Sequence, residues 1–279
     1  MSQQVSYEQY VLAESRRRYD TDYRFSYLTY VGWNILTIGF YSIYATYKMV
    51  ERRTQHAERR LAFLSYFWHT LNARAESASQ KEAVAEGLDN LSRIYQQIDA
   101  FERRNKRSAI LMALLRLGGY LAFFPLGVGV SFYTNHFLNK DLRFFDEWES
   151  SYAANAEWVM QRLGYPISIP RRMKPVQDRS TGLYAVLSII TAGIWSIVWR
   201  YKVMVEGNAH FDDDDRIEDA LLGALGITQL PPSAPVYPPG PPMSGAPGGA
   251  VVPPPSPGET GTLGTGAPII PPPDDPTSP

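Results

Sequence analysis

Two of the four histidines have a spacing that could serve chemistry. His56 and His210 are 154 residues apart, and each is followed two positions later by a carboxylate, Glu58 and Asp212. Imidazole and carboxylate groups are common ligands of transition metals. The same spacing is explained by a duplicated helix whose two copies inherited a surface histidine, and we therefore expect no metal ligands.

Other catalytic signatures are missing from the sequence. It contains no GxGxxG, GxxxxGK[ST], HExxH or GxSxG motif, and it has no cysteine that could act as a nucleophile, thiolate ligand or disulfide partner. We therefore predict a protein that is not an enzyme, with no catalytic residues and no cofactor.

The elements that must position these residues include three long apolar stretches. They are Tyr27–Tyr47, Ser108–Leu138 and Leu183–Tyr201, and their only charged residues are Arg116 and Arg200. Runs of about 18 or more apolar residues are candidate membrane segments, and tyrosine and tryptophan are frequent at the ends of the first and third runs, as in an interfacial belt. We predict an all-α membrane protein with three hydrophobic helical or re-entrant segments.

An internal repeat relates these stretches. A shift of 154 residues aligns Thr37–Lys48 with Thr191–Lys202, with identity at six of twelve positions. A shift of 90 aligns a degenerate middle copy, in which Gly129 corresponds to Gly39. The sequence therefore predicts one membrane element used three times.

The string from Leu36 to Tyr44, and its copy around Gly193, resembles a prokaryotic membrane domain family known as domain of unknown function 4234. The middle copy departs from the pattern, because Gly127 replaces the threonine. The resemblance implies a multi-pass bacterial membrane protein and implies no activity or functional residues.

Gly39, Gly129 and Gly193, together with Pro125, mark positions where these segments could break or pack closely. Arms of about ten residues rise only ~15 Å, which is too short for a bilayer core of ~30 Å. Re-entrant hairpins in one leaflet and ordinary spanning helices packed through glycine therefore both remain open. For Arg116, we expect the side chain to snorkel to the headgroups.

All flanks of the apolar segments are basic, and residues 1–210 hold 26 Lys and Arg against 19 Asp and Glu. We predict that the clusters in the first linker contact anionic lipid rather than nucleic acid. The basic residues in these clusters are Arg52, Arg53, Arg59, Arg60, Arg103, Arg104, Lys106 and Arg107. Positive flanks favour cytoplasmic linkers at the cell membrane.

Amphipathic helices are predicted between the segments, with stripes such as Val84, Leu88, Leu91, Tyr95 and Ile98, and we expect such helices to lie at the membrane interface. The acidic run Asp212–Asp215 predicts the first turn of a short helix.

Residues 231–279 hold 18 of the 22 prolines, and we expect a disordered tail that could bind a protein partner as polyproline II.

The predicted organisation has five parts: a polar and basic N-terminal arm at 1–26, a first repeat with its linker at 27–107, a degenerate second repeat at 108–182, a third repeat with the short acidic-start helix at 183–230, and the tail at 231–279. The leading hypothesis is a non-catalytic integral membrane protein that scaffolds or shapes the bilayer, forms homo-oligomers and recruits partners through its tail. The alternative is a small channel or transporter subunit.

Overall fold

A computed structural model describes residues 7–122, 124–191 and 194–227, and the only regular secondary structure among them is helical. The helices are α1 (Tyr7–Arg16), α2 (Arg18–Thr21), α3 (Tyr27–Leu36), α4 (Tyr41–Ser77), α5 (Lys81–Asn105), α6 (Ala109–Ala122), α7 (Phe124–Arg162), α8 (Thr181–Ile190) and α9 (Ile194–Leu225). The all-α prediction is confirmed, while the Pro-rich tail and Gly193 lie outside the described residues.

None of these helices combines the length and the apolar character that crossing a bilayer requires, within the part of the chain that the structure describes. The apolar segments instead form three helical hairpins, each made of a short helix and the start of a long one: α3 with α4, α6 with α7, and α8 with α9. The short arms of 10, 14 and 10 residues rise about 15, 21 and 15 Å at 1.5 Å per residue.

Local hydrogen bonds explain where the first and third hairpins begin and turn. Ser26 and Ser180 cap α3 and α8 by accepting a backbone N–H bond from the third residue that follows. Thr37 Oγ1 accepts a bond from the Tyr41 N–H, and Thr191 Oγ1 accepts one from the Trp195 N–H. Each threonine thereby ties the end of the short arm to the start of the long helix.

Gly39 lies in the first of these turns with φ +87°, a backbone conformation that favours glycine. Gly129 lies within the continuous α7, several residues after the second turn, and Pro125 lies in the first turn of that helix. The helix direction in the second hairpin therefore changes before Pro125 and not at Gly129.

The three long helices pass through two apolar clusters. The first cluster, at the base of the hairpins, contains Met49 from α4, Phe137 from α7 and Trp199 from α9. The second, at the far ends of the same helices, contains Leu71, Tyr152 and Leu221 together with the apolar stripe of α5. Since each long helix starts in a hairpin and ends in the second cluster, all three hairpins lie at the same end of the molecule.

The predicted interfacial helices require a correction. The stripe of α5 is buried against α4 and α7, and Leu64, Phe67, Phe145 and Trp148 are buried in the same core. Their apolar faces pack against one another because the chain supplies three complementary faces, which leaves none of these residues for a membrane surface. The N-terminal arm is also part of this core through Val11 and Leu12 of α1.

The acidic run does not begin a helix, because Asp212–Asp215 lie in the middle of the 32-residue α9. Consecutive carboxylates are tolerated there since each has a basic partner. Arg24 pairs with Asp212 and Asp215, Arg216 with Asp213, and Arg172 with Asp214.

The second hairpin depends on glycine for a close contact between α6 and α7. A Cβ atom on Gly119 would lie 2.6 Å from Gly127 Cα, whereas a Cβ atom on the neighbouring Gly118 would meet nothing within 4 Å. We expect Gly119→Ala to lower the free energy of unfolding by about 1–3 kcal/mol through overpacking. Gly118→Ala is the matched control and should be neutral or stabilising by up to about 1 kcal/mol.

Denaturant or thermal unfolding of the two variants in the same detergent tests this expectation. Equal stability of the two variants would show that α6 and α7 are not packed backbone to backbone at Gly119.

Candidate functional site

A layer of buried charges separates the two apolar clusters. It is formed by the middle parts of α4, α7 and α9, between the hairpins and the far core. On separate amphipathic helices, these charged residues would face the solvent. In this structure the three long helices surround them instead. Their charges must therefore be neutralised inside the protein.

The first linker supplies four of the arginines in this layer, and this corrects their predicted contact with lipid. Arg52, Arg53, Arg59 and Arg60 are each at most 4 % exposed. Arg53, Arg59 and Arg60 pair with carboxylates of the same chain, and Arg52 donates to the Tyr23 carbonyl and to Asn208. Lipid headgroups cannot reach guanidinium groups placed in this way.

The other predicted lipid contacts lie in a different environment. Arg103, Arg104 and Lys106 are exposed at the end of α5. Arg107 follows at the base of the second hairpin, where it lines a cleft of about 320 Å³ together with His136, Lys140 and Arg143. Within the cleft, Arg107 pairs with Asp141, and Lys140 and Arg143 both pair with Asp178.

Arg116 is also placed differently from the expectation. Its side chain is buried between hairpins, where it donates to Thr46 Oγ1 at 2.6 Å and to the Tyr120 hydroxyl at 3.2 Å. Arg200 enters the same region from α9 and donates to Ser131 Oγ at 2.9 Å. These two arginines therefore join the hairpins to one another rather than snorkel.

His56 and His210 meet in the centre of the charged layer. Both side chains are at most 2 % exposed, and their ring centroids are 5.2 Å apart. His56 Nε2 lies 3.1 Å and His210 Nε2 lies 3.3 Å from the same atom, Asp214 Oδ2. The two histidines are therefore not surface residues, and the explanation of their spacing by an inherited surface position is wrong.

The far side of each imidazole ring is held by a second carboxylate. Asp22 Oδ1 is 2.9 Å from His56 Nδ1, and Asp146 Oδ1 is 2.5 Å from His210 Nδ1. Burial alone would lower the pKa of His56, but attraction by Asp22 and contacts with Asp214 raise it to about 9. The pKa of Asp214 is well below its usual range, since Arg172, His210 and Arg60 outweigh the effect of burial.

The carboxylates that the sequence pattern paired with these histidines lie elsewhere. Glu58 is half exposed and pairs with Lys106, and Asp212 is mostly exposed and pairs with Arg24. Glu149 of α7 completes the cluster instead, so that ligand atoms of His56, Glu149, His210 and Asp214 all lie within 4.8 Å of one another. The sequence alone does not identify Glu149 as a member of this cluster. Only helix packing decides which face of α7 is turned toward the two histidines.

The remaining histidines are peripheral. His69 stacks on Tyr7 with ring centroids 4.7 Å apart, and His136 lies beside Thr181 near the cleft. Burial lowers the pKa of both rings, with Lys140 and Arg107 adding to the effect at His136.

A second group of buried charges surrounds Arg53, which lies 2.5 Å from Glu102 and 2.8 Å from Asp141. The pKa of Glu102 is raised, because burial outweighs the attraction of Arg53. A raised carboxyl pKa contributes stability that is present below the unfolded pKa and lost as the pH rises through the folded pKa. The pKa of Asp141 is raised for the same reason.

We therefore expect Glu102→Gln to change the free energy of unfolding by no more than about 1 kcal/mol at neutral pH, since Asp141 still neutralises Arg53. Wild type should gain stability relative to this variant as the pH falls toward the usual glutamate pKa. Unfolding curves of both proteins between mildly acidic and neutral pH measure the difference. A loss of several kcal/mol at neutral pH would show that the Glu102–Arg53 attraction dominates.

The residues that the structure describes thus form an all-helical protein with a buried polar layer and three apolar hairpins. Residues 179–225 match the model of a family described as a domain of unknown function, DUF4234. The match covers α8 and all of α9, including His210 and Asp214, and it supports the family resemblance seen in the sequence. No curated protein and no solved structure matches the chain.

Proposed function

We propose that this protein is a non-catalytic membrane protein that inserts its three hairpins into one leaflet of the bilayer and scaffolds or shapes that membrane. The observation that carries the proposal is the distribution of exposed apolar side chains. Among the described residues, every large exposed Leu, Ile, Val, Phe and Trp lies in one of the hairpins.

The tips are the most exposed parts of these hairpins. Ile38 is 90 % exposed at the first tip, Leu121 71 % at the second, and Ile190 74 % at the third. Burying each such side chain contributes ~1.5–3 kcal/mol, so three tips together supply substantial membrane affinity. Short arms that enter only part of a ~30 Å bilayer core would act as wedges in one leaflet.

The hairpins are joined at their bases, which supports a single inserted unit rather than three independent anchors. Tyr27 of the first hairpin packs on Tyr201 of the third with ring centroids 4.7 Å apart. Phe132 of the second packs on Trp199 of the third with ring centroids 6.0 Å apart. The exposed Arg103, Arg104 and Lys106 and the partly buried Arg107 flank the second hairpin and are proposed to contact anionic lipid.

The proposed origin of this arrangement is a repeated membrane element with two clear copies and one degenerate copy. Equivalent residues at the offset of 154 make equivalent bonds, as in the Ser26 and Ser180 caps and the Thr37 and Thr191 turns. The equivalent pairs His56 with His210, and Thr46 with Arg200, contact each other across the molecule.

Thiol accessibility in intact cells tests the topology, because the chain has no cysteine of its own. Single cysteines at Ser79, Ser108 and Ser180, all exposed outside the hairpin tips, should react from one side of the membrane only. Cysteines at Ile38 and Ile190 should be protected by lipid. Accessibility that alternates between sides along the chain would contradict one-leaflet insertion and favour the spanning channel or transporter.

Reconstituted vesicles test the scaffold activity. Tubulation or clustering of anionic vesicles without solute flux is the expected result. Saturable solute flux without a change in vesicle shape would replace the scaffold with the transporter alternative. The sequence also predicts that the tail binds a protein partner, that the protein forms oligomers, and that its linkers lie on the cytoplasmic side of a bacterial cell membrane. These three statements remain predictions.

A further inference from the structure

We infer that His56, His210, Asp214 and Glu149 form a binding site for one divalent transition-metal ion, such as zinc, that connects α4, α7 and α9 beneath the hairpins. The site goes beyond the proposed membrane function, and it is carried by the geometry of the four side chains. Two imidazoles and two carboxylates form a ligand set that zinc, iron, manganese and cobalt accept.

The spacing of the ligand atoms suits a small ion. Bonds of about 2.0–2.2 Å in tetrahedral geometry place ligand atoms roughly 3.3–3.6 Å apart. The two Nε2 atoms lie 3.1 and 3.3 Å from Asp214 Oδ2, and His210 Nε2 lies 3.9 Å from Glu149 Oε2. The four ligand atoms all lie within 4.8 Å of one another, so the more distant pairs would approach by up to about 1 Å when an ion binds.

Three of these atoms are buried and lack a hydrogen bond, although the two histidine Nε2 atoms lie within ion-pair distance of Asp214 Oδ2, which also lies 3.7 Å from Arg60 Nε. His56 Nε2, His210 Nε2 and Asp214 Oδ2 make no hydrogen bond of acceptable geometry, although they converge on one point. A buried polar atom without a partner costs about 1–3 kcal/mol, and three at one point require an explanation. A metal ion would satisfy all three.

The surroundings have the arrangement that metal-bound histidines use. Asp22 and Asp146 bind the Nδ1 atoms, and such contacts fix each ring with its Nε2 lone pair directed at the metal. The four ligands come from three different helices and lie far apart in the sequence. A metal would therefore stabilise the tertiary structure and not a single helix.

The charge count of the layer favours a dication. Five buried carboxylates, those of Asp22, Asp146, Glu149, Asp214 and Glu218, face three guanidinium groups, those of Arg59, Arg60 and Arg172. Two negative charges are left over within this set of directly paired groups. A divalent ion balances them, and the competing arrangement is direct pairing of the imidazoles with the carboxylates and no bound metal.

The arginines also limit the site. Arg172 Nη2 is 2.8 Å from Glu149 Oε2 and also pairs with Asp214 Oδ1 at 2.5 Å, so the fourth ligand is shared with a guanidinium group. Arg172 comes from the irregular segment between α7 and α8.

The test uses full-length protein purified without a polyhistidine tag, stripped with a chelator and titrated with Zn²⁺ and Co²⁺. One tightly bound ion per chain is expected, with a Co²⁺ absorption spectrum typical of four-coordinate nitrogen and oxygen ligands. His56→Gln and His210→Gln should each weaken binding at least tenfold, while the peripheral His69→Gln and His136→Gln should leave it unchanged.

Wild-type protein supplies a readout that does not depend on whether the variants fold. X-ray absorption of the Zn²⁺ form should show two imidazole ligands and no sulfur. Failure of wild type to bind a stoichiometric ion would overturn the inference in favour of direct pairing of the two histidines with the carboxylates. Binding that persists in both buried-histidine variants, or that disappears only in the peripheral ones, would also overturn it.

Discussion

Arg60→Met should lower the free energy of unfolding by about 3–5 kcal/mol, the largest single-residue effect on stability expected for this protein. The guanidinium group is 2 % exposed and pairs with Glu149 at 2.9 Å and with Glu218 at 2.6 Å. Removing the guanidinium group leaves the fully buried carboxylates of Glu149 and Glu218 with fewer ion-pair partners. Methionine fills a similar volume, so the loss reports the uncompensated charge and not a cavity.

The measurement is chemical unfolding followed by circular dichroism in a fixed detergent. Arg103→Met is the matched control, because Arg103 is 75 % exposed in its pair with Asp99 and exposed pairs contribute only about 0–1 kcal/mol. The double variant Arg60→Met with Glu218→Gln should recover part of the loss, since it also removes a carboxylate charge. Equal effects of Arg60→Met and the control would mean that the charged layer is hydrated rather than buried.

Charging the three hairpin tips should abolish stable membrane insertion. Ile38→Asp, Leu121→Asp and Ile190→Asp together place one carboxylate at each exposed tip. An Asp deep in the bilayer costs roughly 2.5–3.5 kcal/mol, so the triple variant should bind vesicles on the order of at least 100-fold more weakly. The tips face away from the buried layer, and the helical content should therefore be unchanged.

Flotation with vesicles and carbonate extraction of cell membranes measure this loss. Tyr19→Asp is a suitable control, because Tyr19 is 80 % exposed but lies outside the hairpins. Retention of the triple variant in the membrane fraction, at the level of wild type, would contradict insertion through the tips.

The two predictions concern different parts of one architecture. The hairpins are proposed to insert their exposed apolar side chains into a membrane, while the charged layer holds the three long helices together immediately beneath them. If the Arg60→Met prediction failed, the membrane proposal would still stand. If the prediction for the charged hairpin tips failed, the description of the buried charged layer would still stand. The metal titration is independent of both, since it reports on the four ligands alone.

Much of the helical structure could be predicted from the sequence because its signals are local. The stripe from Val84 to Ile98 has helical spacing, and α5 buries it. The glycine of the first turn was also visible, and Gly39 adopts a positive φ between two helices. Helix propensity, capping and turn chemistry act over a few residues, so a single segment contains the information.

The placement of charges was decided only by the tertiary structure. Arg59 and Arg60 look like a solvated basic cluster, yet Glu218, their shared partner, is about 160 residues away in α9. The spacing of His56 and His210 pointed to a common origin but not to Asp214 and Glu149 as neighbours. Electrostatic pairing depends on distance in space and on exclusion of water, and both are fixed only when three helices pack together.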